Sequence, residues 1–246
     1  AGDINGDGFG DVVLQSTDNE VVVLTNDAQG NLQETSRSRA WGYNGKVILE
    51  DITGDGKKDL LIYLGNNRDV RLATNRGGYF DDPVSIIPQP ANFWLDPDAK
   101  PGSLAVGDIN GDGKKDIIYS FYYENTFLPE FRLLLQLNDG SFEESAAHLP
   151  GLPALTEDLT EAVTLLDYND DGLSDVALQV NDQSSGIHLS IYRNDGNQTF
   201  TLVSSVLVAQ FPNPSNYELA IGDFDHDGNQ DMVGYKNLDT WNNYTE

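Results

Sequence analysis

Five stretches of this chain repeat one acidic pattern, Asp-x-[Asp/Asn/Thr]-x-Asp-Gly-x-x-Asp. They read DINGDGFGD from Asp3, DITGDGKKD from Asp51, DINGDGKKD from Asp108, DYNDDGLSD from Asp167 and DFDHDGNQD from Asp223. Short oxygen-bearing arms at alternating positions suit a hard cation, because Ca2+ takes about six to eight oxygen ligands at roughly 2.3–2.6 Å. Positions one, three, five and nine offer side-chain oxygens, and position seven offers its backbone carbonyl. The candidate ligands are Asp3, Asn5, Asp7, Phe9 and Asp11 in the first loop, and Asp51, Thr53, Asp55, Lys57 and Asp59 in the second. The third supplies Asp108, Asn110, Asp112, Lys114 and Asp116, and the fourth Asp167, Asn169, Asp171, Leu173 and Asp175. The fifth supplies Asp223, Asp225, Asp227, Asn229 and Asp231, with the most carboxylates, whereas Thr53 makes the second loop the weakest. About five Ca2+ sites are expected. Mg2+ fits less well, since it holds to octahedral geometry and keeps its waters.

The alternative is five Asx-type turns that bind nothing. Three carboxylates within nine residues repel one another unless a cation offsets them, and the fivefold recurrence favours the cation. An EF-hand would need an acidic ligand at position twelve and flanking helices. Position twelve holds Leu14, Ile62, Tyr119, Leu178 and Gly234, and the residues after each loop are apolar, many of them β-branched or aromatic as in Asp11-Val12-Val13-Leu14. The loops therefore join strands.

The loops begin 48, 57, 59 and 56 residues apart, a period that suits a unit of several strands. A second motif runs in phase: Asn26-Asp27, Asn75-Arg76-Gly77-Gly78, Asn138-Asp139-Gly140 and Asn194-Asp195-Gly196, read as hairpin turns because Asn, Asp and Gly tolerate positive φ. Each repeat then reads as four strands. One enters the acidic loop, one leaves it, one ends at the Asn turn and one leads onward; in the third repeat they are Leu104–Val106, Ile117–Tyr119, Phe131–Leu137 and the stretch after Phe142. Helical periodicity is absent apart from a turn expected within 155–162. Most prolines fall between repeats. The fold expected is an all-β propeller with four-stranded antiparallel blades, in repeats 1–45, 46–101, 102–160, 161–216 and 217–246, the first and last incomplete. With both partial repeats carrying an acidic loop, the expectation is a segment of a larger propeller, completed by further sequence or another chain.

These loops, with lead-ins of the Leu104-Ala105-Val106-Gly107-Asp108 type, resemble the FG-GAP/VCBS repeats of the integrin α-subunit propeller and of many bacterial surface proteins. The resemblance implies that each loop joins the first two strands of a blade and binds Ca2+. The chain departs from the integrin pattern where Leu60-Leu61-Ile62-Tyr63 and Ile117-Ile118-Tyr119 stand in place of Phe-Gly and Gly-Ala-Pro elements. The VCBS-like branch fits better.

The chain has 246 residues, 40 Asp and Glu against 14 Lys and Arg, a net charge of −26 and no cysteine. Such an excess of negative charge disfavours nucleic acid and anionic lipid as partners. No apolar run is long enough to span a bilayer as a helix. Without cysteine there are no disulfides, zinc–thiolate sites or cysteine nucleophiles. Loop ligands account for sixteen of the 40 acids, so much of the acidity is metal chemistry.

Catalysis has little support. His226 lies inside the fifth loop, and His148 and His188 have no catalytic context. The expected role is an extracellular or cell-surface binding or adhesion module, taking a protein or carbohydrate ligand on inter-blade loops that carry Trp41, Tyr43, Phe93, Trp94, Tyr122, Tyr123 and Tyr217. A rigid fibre segment and the propeller domain of a polysaccharide-degrading lyase or hydrolase are the alternatives.

Overall fold

The computed structural model describes residues 1–15, 20–39, 46–64, 69–88, 99–123, 129–145, 162–182, 186–209, 217–222, 224–225 and 231–236. They form strands and loops with no helix. The helical turn expected within 155–162 lies outside the described residues as far as 161, and Ala162 opens a strand.

Each sheet is an antiparallel meander in chain order. The first holds β1 (Val12–Gln15), β2 (Glu20–Asn26) and β3 (Leu32–Arg39). The second holds β4 (Lys46–Glu50), β5 (Asp59–Tyr63), β6 (Val70–Ala73) and β7 (Val84–Ser85). The third holds β8 (Ala99–Gly107), β9 (Asp116–Tyr123), β10 (Pro129–Gln136) and β11 (Phe142–Glu144). The fourth holds β12 (Ala162–Leu166), β13 (Asp175–Asp182), β14 (Gly186–Asn194) and β15 (Phe200–Ala209). The last pairs β16 (Tyr217–Gly222) with β17 (Asp231–Lys236). Tyr122 and Tyr123, expected in a connecting loop, are the last two residues of β9, and Tyr217 opens β16. Strand pairing reaches them, Tyr122 opposite Pro129, Tyr123 opposite Ala99 and Tyr217 opposite Lys236. Trp41, Tyr43, Phe93 and Trp94 lie outside the described residues.

The second strands of the second and third blades carry near-continuous apolar runs because they are buried on both faces. In β5, Leu61 and Tyr63 face the third blade while Leu60 and Ile62 face the first. In β9, Ile117, Tyr119 and Phe121 pack against the second blade, whereas Ile118 packs against the fourth. The period of two thus sends alternate side chains into successive inter-blade cores. Four sheets stacked face to face in chain order, with a shared core between each successive pair, are blades of a β-propeller.

Polar contacts reinforce these cores. Tyr63 of the second blade donates its hydroxyl to the Ser120 carbonyl of the third at 2.6 Å, and its ring meets Tyr119 edge-on at 5.7 Å. Between the third and fourth blades, Ser103 Oγ accepts the Val163 N–H at 3.0 Å. Tyr63→Phe keeps the apolar packing but removes the buried donor, so it should cost about 1–2 kcal/mol. Urea denaturation checks this through a lowered midpoint at unchanged slope.

Candidate functional site

Strand register sets every acidic loop in the same frame. The last Asp of the loop opens the second strand of the hairpin and pairs with the residue just before the loop: Glu50 with Asp59, Gly107 with Asp116, Leu166 with Asp175 and Gly222 with Asp231. Gly2 bridges Asp11 in the same way. Each loop must therefore reverse direction within a few residues. The position-six glycine makes this turn at φ between 83° and 87° in Gly8, Gly56, Gly113 and Gly172, where a Cβ would be strained.

The position-one carboxylate organises the turn by accepting backbone N–H groups. Asp3 takes those of Gly6 at 2.7 Å, Asp7 at 3.1 Å and Gly8 at 2.8 Å. Asp51 and Asp108 accept the same three amides of their loops, and Asp167 accepts two, from Asp171 and Gly172. Position five accepts the position-seven N–H: Phe9 to Asp7, Lys57 to Asp55, Lys114 to Asp112 and Leu173 to Asp171. Asn5, Asn110 and Asn169 each donate a side-chain N–H to the position-five carboxylate, and Thr53 is exposed. In the second and third loops a lysine ammonium reaches that carboxylate, Lys57 to Asp55 at 2.8 Å and Lys114 to Asp112 at 2.6 Å. Those hydrogen bonds hold both carboxyls below their usual range. In the fifth loop Asp225 is exposed and Asp231 opens β17, while Asp223, Asp227 and Asn229 lie outside the described residues.

Position nine differs from the rest of the loop. Asp11, Asp59, Asp116 and Asp175 are fully buried. Each directs Oδ2 at the N–H of position two: Ile4 at 2.8 Å, Ile52 at 3.1 Å, Ile109 at 3.0 Å and Tyr168 at 2.8 Å. Each directs Oδ1 at a backbone N–H where the third strand ends: Asn26 at 2.8 Å, Asn75 at 2.9 Å, Gln136 at 3.0 Å and Asn194 at 2.6 Å. Burial pushes the Asp116 and Asp175 carboxyls above their usual range. Neighbouring loop charges add to this, Asp112 on Asp116, and Asp171 and Asp167 on Asp175.

The residues at the third-strand ends do more than turn the chain. Asn75 Nδ2 donates to the carbonyl of Lys58 in its own loop at 3.0 Å and to that of Ile4 in the preceding blade at 2.8 Å. Asn194 repeats this on Ser174 at 3.1 Å and Ile109 at 2.7 Å. In the third blade the equivalent residue is Gln136, whose Nε2 reaches the Ile52 carbonyl at 2.8 Å. The sequence motif placed Asn138 there, but Asn138 is an exposed turn residue two positions further on. The extra methylene of Gln136 accompanies an open cleft of about 480 Å3 between the second and third loops, lined by Glu50, Thr53, Lys114, Lys115 and Asn138 among others.

The donor set of each described loop is oxygen only, which fits a hard cation, and two loops already hold a lysine ammonium at the position-five carboxylate. As they stand, no three acidic or histidine side chains among the described residues are gathered closely enough to hold an ion, because the carboxylates are turned onto backbone amides. Removing the clamp should matter more than removing the turn. Gln136→Ala orphans the buried Ile52 carbonyl and should cost about 1–3 kcal/mol, whereas Asn138→Ala should stay within about 0.5 kcal/mol. Paired chemical denaturation curves measure the difference.

The model of the FG-GAP-like repeat matches this sequence three times, over residues 3–62, 51–119 and 167–234. No curated protein sequence matches it. Among solved structures, a chain of the Photorhabdus luminescens Tc holotoxin pore superposes with a TM-score of 0.51 at 17% identity, covering 91% of this chain and 10% of that one. The Dos1 propeller gives 0.47 at 16% identity over 79% of this chain and 43% of its own. BBS1N in complex with ARL6DN gives 0.41 at 11% identity, over 83% and 66% respectively. The chain thus spans a tenth of the toxin chain it matches and less than half of the Dos1 chain.

Proposed function

Because this chain belongs to the FG-GAP-like repeat family, we propose that it is a Ca2+-stabilised, non-enzymatic binding module of a secreted or cell-surface protein. The observation that carries this reading is the repetition of one oxygen-only donor set, in the same strand register, in blade after blade. In the first loop Asp3, Asn5 and Asp7 would supply side-chain oxygens, Phe9 its carbonyl, and Asp11 the buried carboxylate closing the site from below; the other loops follow position by position. Bound Ca2+ supplies positive charge that offsets the repulsion among these carboxylates.

Proton transfer is a poor use for acids tied to their own backbone amides, and their arrangement supports a stabilising role. On such a scaffold the segments between blades are free to vary and to present a ligand surface. Trp41, Tyr43, Phe93 and Trp94 are the residues there suited to a sugar face or an apolar protein partner.

If each of the five loops binds with a Kd near 10⁻⁴ M and free Ca2+ is about tenfold higher, each ion adds about 1.4 kcal/mol and all five about 7 kcal/mol. For a domain of this size the melting temperature should then fall on the order of 15 °C or more in excess EGTA. A melt that does not move between 1 mM Ca2+ and EGTA would contradict the reading. Glycan-array and protein-capture assays in Ca2+ buffer then separate the two ligand classes.

A further inference from the structure

One series of buried hydrogen bonds runs through four blades. It starts at Asp11, whose carboxylate accepts the Ile4 N–H at 2.8 Å, and the carbonyl of Ile4 accepts from the Asn75 side chain at 2.8 Å. The Asn75 N–H donates to Asp59 at 2.9 Å, and Asp59 accepts the Ile52 N–H at 3.1 Å. The Ile52 carbonyl takes Gln136 Nε2 at 2.8 Å, and the Gln136 N–H donates to Asp116 at 3.0 Å. Asp116 accepts the Ile109 N–H at 3.0 Å, Asn194 Nδ2 donates to the Ile109 carbonyl at 2.7 Å, and the Asn194 N–H ends the series on Asp175 at 2.6 Å. Every member is at most 8% exposed.

We propose that this series couples the loops, so that a cation bound in one loop raises the affinity of the loops on either side. The inference rests on the reading of the loops as Ca2+ sites. Its basis is that the position-nine carboxylate belongs to two structures at once, as the inner oxygen donor of its own loop and as the acceptor that fixes the third-strand Asn or Gln. Fixing that residue fixes its side-chain amide on the position-two carbonyl of the preceding blade. The N–H of the same position-two residue is held by the preceding position-nine carboxylate. No link passes through water-exposed groups, and hydrogen bonds in a low-dielectric interior polarise one another. A second contact joins the third and fourth loops directly, where the Ser174 N–H donates to the Asp108 carbonyl at 2.8 Å. Asn26 makes the same own-loop contact as Asn75 and Asn194, its side-chain amide lying 3.4 Å from the Gly10 carbonyl.

Calorimetric titration of the full chain with Ca2+ tests the proposal. The wild-type isotherm should be steeper than that of independent sites, with a Hill coefficient above one. Asn75→Leu keeps the branched shape of the side chain but removes the donor, and should bring the curve toward independent sites while the number of ions bound is unchanged. A loss of coupling of this kind should read as a several-fold weaker affinity in the first and second loops. Asn138→Leu, in the turn, should leave the isotherm as it is. Should Asn75→Leu fail to fold, Asn75→Gln retains a donor like that of the third blade, and should retain the steepness. A wild-type isotherm of independent sites overturns the coupling, as does equal steepness in Asn75→Leu. A wild-type chain that takes up no Ca2+ overturns instead the reading of the loops on which the coupling rests.

Discussion

A carboxylate buried without compensation is among the most costly groups a fold can contain, and this chain buries one beneath each of its four described acidic loops. The cost is met by backbone N–H groups aimed at both oxygens of Asp11, Asp59, Asp116 and Asp175. Those donors come from two separated places, the start of the loop and the end of the third strand. Satisfying one carboxylate therefore fixes the hairpin register and places the third strand of the blade. The side chain of the residue at that strand end then reaches the preceding blade. Local chemistry is thereby converted into propeller geometry, one blade at a time.

The inter-blade cores follow the same logic of nearest neighbours. The second strands β5 and β9 divide their apolar side chains between two cores, so neither blade buries its surface alone. In the acidic loops the position-one carboxylates gather three amides in three loops and two in the fourth, and the position-five carboxylates stay exposed. Lys57 and Lys114 show what those outer carboxylates attract: in two loops a cationic side chain already lies against position five.

Much of this could be read from the sequence, because the informative features are local. The DxNxDG pattern fixes the turn, and continuous apolar runs such as Leu60–Tyr63 announce a strand buried on both faces. What could not be read depends on partners distant in the chain. Asn75 and Asn194 look like hairpin-turn residues, yet they bond Ile4 and Ile109, 71 and 85 positions away. In the third blade Asn138-Asp139-Gly140 does form the hairpin turn expected of it, but the inter-blade bond belongs to Gln136, a lone Gln closing a strand that gives no local signal. A signal did exist across the repeats. In three repeats an Asn or Gln ends the third strand, and in the second Asn75 follows β6 by two positions, a polar residue where an apolar strand gives way to the turn. Tyr63 gave no such sign, because its hydroxyl partner is a backbone carbonyl of the next blade.

The proposed stabilisation and coupling both require the acidic loops to be cation sites and not merely tight turns. Equilibrium dialysis of the purified chain against 1 mM Ca2+, followed by elemental analysis, measures this directly. About five Ca2+ per chain are expected, in keeping with the five loops. A chain that retains none, with its fold intact, would contradict both.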